Sequence, residues 1–140
     1  HDTHIAVTLA AIQAMRALPE EDRPEQVLGC EVWRGLDWMN DSEKIALNVS
    51  AHENLAMALN GVFDSQIAGG KRYDIATLGR RRANATFFES HATDEADQLS
   101  FAMDLTPLVN DPSIDPSTFT TDAIRRFSED VENRIAKFSR

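Results

Sequence analysis

The sequence predicts a mixed α/β chain, on three observations: an apolar stripe at helical spacing near the N-terminus, two short strand-like runs in the first half, and a second helical stripe at the C-terminus. Over residues 4–18 the apolar positions Ile5, Leu9, Ile12 and Met15 recur every three to four residues among good helix formers, the period of one buried helix face. Pro19 ends this helix, since proline has no N–H for the next backbone bond. The polar residues 20–25, with Pro24, form a loop, and the short apolar run 26–33 is expected to be a buried strand.

Residues 35–42 read as irregular, with Trp33, Leu36, Trp38 and Met39 gathered around Arg34 and Asp37. Residues 44–49 set Ile45, Leu47 and Val49 against Lys44, Ala46 and Asn48, the alternation of a strand with one polar face. Ser50-Ala51-His52-Glu53 has the form of a capping box, so Ser50 is expected to cap a helix over about 51–66. Gly69-Gly70 breaks that helix, and Asp74 is expected to cap another through Ala83 or beyond. Residues 99–108 return to apolar character and are stopped by Pro107; 110–116 is a turn-rich linker. Ile124, Phe127, Val131, Ile135 and Phe138 mark one stripe of a C-terminal helix with charges on its other faces. There is no internal repeat and no low-complexity tract.

The order helix, strand, strand, three helices is thin for an α/β domain, because a parallel sheet needs more strands to cover its helices on both faces. Further strands are therefore expected upstream of His1. The 140 residues, 42% hydrophobic, suit one domain or part of one.

Charge and cysteine usage narrow the partners. A net charge of -9 with pI near 4.8 argues against a phosphate backbone, whose binders carry a basic footprint, so no nucleic-acid partner is expected. In the one dense basic run, Arg80-Arg81-Arg82, three arginines splay over most of a helical turn, and a solvated or salt-bridged face is expected ahead of an anion site. The single cysteine, Cys30, forms no internal disulfide and no Cys-x-x-Cys pair, which fits a reducing, cytoplasmic setting. No stretch approaches the roughly 20 apolar residues that span a bilayer, and the N-terminus lacks the regions of a signal peptide, so no membrane partner is expected.

The first four residues are the strongest chemical signal. His1-Asp2-Thr3-His4 sits at the start of a predicted helix, where histidines three apart converge just beyond the helix end. Imidazole nitrogen is a good zinc ligand, but a catalytic zinc takes three protein ligands plus a water, so two histidines are not a site. On spacing alone the pair reads as exposed terminal histidines. His52 and His91 have no ligand-type neighbours at useful spacing and read as surface or core residues.

The segment His1-Asp2-Thr3-His4-Ile5-Ala6-Val7 resembles the second metal motif, His-Pro-Asp-His followed by an apolar helix, of the PIG-L or LmbE-like zinc de-N-acetylases. The likeness continues to Ser65-Gln66, where that family has a Ser-Gln pair ending a helix begun after a strand-borne lysine, here Lys44. Phe63 stands where many members have another histidine. Residues 31–38, 70–74 and 79–86 are similar to a bacterial branch of the same family, so the resemblance runs over about 1–108. Asp2-Thr3 replaces Pro-Asp, and no His-Pro dipeptide occurs anywhere, so the family's first motif, Ala-His-Pro-Asp-Asp, is absent.

The resemblance implies a Rossmann-like three-layer sandwich of which this chain supplies the C-terminal strands and helices: 1–110 as the C-terminal part of a deacetylase-like domain, 111–140 as a linker and a helix packed on it. It implies that His4 is a zinc ligand and that His1 assists the intermediate and the leaving amine, with Zn2+ shared with ligands absent from this chain. The expected activity is removal of an acyl group, most often acetyl, from an amino sugar or related amine, with the chain inactive alone. The expected partners are that small molecule, the missing N-terminal half and further copies of the chain. Trp33, Arg34, Asp37 and Trp38 could form a wall for a sugar or other polar substrate, and equally a core or subunit interface. Ser65 and Gln66 are expected to brace the helix end. A reading of a different class stands beside this one: a non-catalytic α/β interaction or oligomerisation module.

Overall fold

The N-terminal stripe folds as α1, Asp2–Arg16, with Ile12 as its buried residue. Asp2 in the first turn and Arg16 in the last both oppose the helix dipole favourably. The computed structural model describes residues 2–31, 33–89 and 91–139. The remaining helices are α2 (Glu53–Gly61), α3 (Asp64–Ile67), α4 (Tyr73–Phe87), α5 (Thr106–Asn110) and α6 (Pro116–Phe138). Three strands, β1 (Leu28–Cys30), β2 (Ile45–Asn48) and β3 (Leu99–Asp104), make a sheet in the order β1-β3-β2. The chain is thus mixed α/β with a small sheet.

Several expectations change in detail. β2 pairs β3 antiparallel, with Ile45 opposite Ala102 and Asn48 opposite Leu99, where the implied fold called for parallel neighbours. The apolar segment 99–108 holds the third strand, and Pro107 lies in the first turn of α5 instead of stopping a run; its fixed φ and missing N–H cost nothing there. The capping box does not form: α2 begins at Glu53 behind His52, whose φ is 62°, with no side-chain cap. The Ser50 hydroxyl instead accepts the backbone N–H groups of Asp97 and Gln98 at 3.0 and 3.1 Å. The helix expected over 51–66 is two helices, α2 and α3. Asp74 lies inside the first turn of α4 and binds Arg72, the residue at the cap position, through two contacts of 3.0 and 2.8 Å. α6 starts within what the sequence assigns to the linker, with Asp115 accepting from Thr118 N at 2.8 Å and Pro116 opening the helix.

The chain divides into two compact units that interleave along the sequence. Unit 1 comprises His1–Gly29, Trp38–Glu43 and Met103–Arg140. Its buried apolar residues include Ile12, Met39, Leu108, Val109 and Ala123. There α1 packs on α5, and Arg16 fastens the contact: its guanidinium donates to the carbonyls of Leu108 and Ile114, the latter at 2.8 Å. These are carbonyls a short helix end and the following turn leave without helical partners. Arg126 of α6 pairs with Glu43.

Unit 2 comprises Cys30–Asp37 and Lys44–Ala102. Leu36, Ala85, Phe101 and Ala102 are buried there with the polar residues Thr77, Asn84 and Gln98. Phe88 meets Phe101 at 5.2 Å between ring centroids, and the Lys44 ammonium lies 5.1 Å from the Phe101 ring.

Both units leave large apolar side chains in water. In unit 1 these include Ile5, Val7 and Leu9 of α1 and Ile124, Val131, Ile135 and Phe138 of α6, the last 79% exposed. In unit 2 they include Leu55, Leu59, Val62 and Phe63. No helix among the described residues is long and apolar enough to cross a membrane.

Candidate binding site

α4 carries a polar stripe. Thr77, Arg80, Arg81 and Asn84 recur at steps of three and four along it and so share a face. Facing them are Glu31 and, from β3, Ser100 and Phe101; together they line a pocket of about 30 Å³. At roughly 10 to 15 Å³ per water-sized centre, that is room for about two oxygen atoms.

The arginine run is divided by its helical rotation of roughly 100° per residue. Arg82 turns outward and pairs with Glu53 at 2.9 Å, as a salt-bridged face requires. Arg80 and Arg81 are half-buried in the pocket wall, and no ion pair joins either to a described residue. Asn84 is buried, and its Nδ2 donates to the Leu99 carbonyl at 3.1 Å.

Opposite α4 the chain makes a tight turn. Gly35 N donates to the Glu31 carbonyl at 3.3 Å, and Leu36 N to Glu31 Oε2 at 3.1 Å. Gly35 has φ +69°, and a Cβ there would stand 3.4 Å from Asn84 Oδ1 and 3.5 Å from Phe101. Leu36 follows at φ 59°, a left-handed conformation that costs a non-glycine residue about 1–2 kcal/mol. Its burial to 4% exposure offsets that cost. The turn presents Trp33, 47% exposed, whose ring lies 4.9 Å from that of Tyr73, tilted by 40°. Tyr73 opens α4 one turn before Thr77. Beside it, the hydrogen bond from Arg72 holds the Asp74 carboxyl down at a pKa of about 2 and raises the Arg72 guanidinium in turn.

The residues singled out in the sequence fall as follows. His1 lies outside the described residues. His4 is exposed in the first turn of α1, in unit 1, and its carbonyl accepts from the Thr8 hydroxyl at 2.9 Å. Trp33, Arg34 and Asp37 are exposed on the turn of unit 2, while Trp38 is half-buried and belongs to unit 1. Trp33 meets the ring of Tyr73. Ser65 and Gln66 are exposed within α3, and His52 and His91 are exposed. Of the α4 pocket residues, Arg80 and Arg81 are the ones the sequence reads, as a solvated or salt-bridged face ahead of an anion site, and Thr77 and Asn84 carry no expectation there.

Among the described residues no group of three or more His, Cys, Asp or Glu is placed to hold a metal ion. Zinc needs three protein ligands, so the described donor set does not by itself fit the ion that the resemblance implies, and no chemical step through zinc follows from it. Set against known proteins, the chain matches no family model, no curated protein and no solved structure.

Proposed function

We propose that this chain is the C-terminal part of a zinc-dependent N-deacetylase acting on an N-acyl amino sugar or related amine, in a cytoplasmic setting. The observation that carries the reading is the order of elements under the motif residues. His4 lies in the first turn of a helix, Lys44 immediately precedes β2, and Ser65-Gln66 lies in the last short helix of the segment that follows. The motif resemblance asks for a strand-borne lysine and one helix ending at the Ser-Gln pair, and this order agrees with it only in outline, since Lys44 stands one residue before β2 and the helix is divided into α2 and α3. In this reading His4 contributes one imidazole to Zn2+, further ligands come from outside the chain, and His1 donates a proton. The three strands here would be the later part of a Rossmann-like three-layer sheet.

The test restores the chain with a segment carrying an Ala-His-Pro-Asp-Asp motif, then measures zinc per chain and hydrolysis of N-acetylglucosamine-type compounds. His4→Ala should remove most zinc and nearly all activity. His1→Ala should keep the zinc and lower turnover by a factor on the order of 10² to 10⁴. Equal zinc loss in both would refute this division of roles, and zinc-dependent hydrolysis by the 140-residue chain alone would refute its incompleteness.

The exposed apolar side chains of α1, α2 and α6 favour a second reading, a non-catalytic interaction or oligomerisation module. Such faces lose free energy in water and mark surfaces for association. Light scattering distinguishes the outcomes: the module reading requires association of the chain with itself or a partner, and a stable monomer at high concentration counts against it.

A further inference from the structure

We propose that the α4 pocket and the aromatic pair beside it form one binding site for an acidic oligosaccharide, with a carboxylate held by Arg80 and Arg81 and a neighbouring sugar ring stacked on Trp33 and Tyr73. Two half-buried arginines line one pocket, with no ion pair from either to a described residue. Partly desolvated cations gain most from an anion, and the guanidinium fork matches a carboxylate in two parallel hydrogen bonds. The single acid in the pocket wall, Glu31, already accepts from Leu36 N, which directs one of its oxygens to its own turn and leaves two cations against one carboxylate. The pocket, about 30 Å³, is small and partly open, so it takes the end of a ligand such as a single anionic group.

The second half of the site is apolar and flat. Trp33 and Tyr73 leave 47% and 37% of their surface in water while touching one another, so the pair offers ring faces to a ligand at small cost in conformational entropy. A sugar's C–H face suits such a surface, and its hydroxyls suit the Thr77 and Ser100 hydroxyls that line the pocket. Distance sets the ligand's length. At 1.5 Å rise per residue, Thr77 stands about 6 Å and Arg81 about 12 Å along α4 from Tyr73, more than one sugar ring covers. A carboxylate at the arginines therefore places the next ring at the aromatics.

The inference goes beyond the deacetylase reading. It needs neither zinc nor turnover, so its test is binding alone, and the failure of one leaves the other standing. The experiment titrates the chain with a glucuronate-containing disaccharide, followed by tryptophan fluorescence and calorimetry, with neutral diacetylchitobiose and free acetate as comparisons. The acidic disaccharide should bind at least tenfold more tightly than either. Arg80→Gln and Arg81→Gln should each weaken it roughly tenfold or more, and Trp33→Ala should abolish the fluorescence change and bring the disaccharide's affinity toward that of acetate. Arg82→Ala, outside the pocket, should bind as the parent does, and thermal melts of each variant separate lost binding from lost folding. Equal affinity for neutral and acidic disaccharides, no binding of the acidic one, or unchanged binding in folded Arg80→Gln and Arg81→Gln variants overturns the proposal.

Discussion

Asn84 Nδ2 donates to the carbonyl of Leu99 at 3.1 Å, tying the buried face of α4 to the first residue of β3. Asn84→Ala removes the donor and leaves a part-buried carbonyl unpaired, which costs about 1–3 kcal/mol. The urea midpoint of the variant should fall accordingly with an unchanged slope. A midpoint within error of the parent would mean that water serves the carbonyl equally well.

Ser50 distinguishes local from tertiary chemistry. As a helix cap, its replacement would fray α2; as the acceptor for Asp97 N and Gln98 N, its replacement should loosen the start of β3. Ser50→Ala is expected to speed hydrogen exchange at residues 97 and 98 and to cost about 1–2 kcal/mol, with the amides of the first turn of α2 unaffected. Faster exchange confined to α2 would restore the capping box.

The Asp74 carboxyl, held at a pKa of about 2 against an ordinary 3.8 by Arg72, gives acid dependence a sign. Its folded pKa is depressed, so the stabilisation is fully present above the ordinary value and is lost as pH falls from 3.8 toward 2. Asp111, held down by Ser113, and Asp115, held down by Thr118, shift in the same direction and lose their contributions in the same acid range. Carboxyl NMR titration should find Asp74 well below 3.8 in the parent and close to 3.8 in Arg72→Ala. An unshifted Asp74 in the parent would show that the pair is not held in solution.

Legibility tracked the range of the interaction. Hydrophobic period alone located α1, β2 and α6, because amphipathic stripes and strand alternation depend on neighbours within a turn or two. β3 was hidden because Phe101, Ala102 and Met103, buried in succession, show no alternation, and an apolar run of that length fits a strand or a buried helix segment equally. The capping box failed because Ser50 has a tertiary alternative 47 and 48 residues away, which its local pattern does not contain.

By itself the sequence determined the mixed α/β class, the main helices, the acidic surface charge and the histidine motif at the N-terminus, since each follows from composition or short-range pattern. The tertiary structure alone decided the antiparallel pairing of β2 with β3 and the partnership of Trp33 with Tyr73. Those outcomes depend on contacts between residues far apart in the chain, Ile45 opposite Ala102 and Trp33 beside Tyr73, which a short-range pattern does not contain.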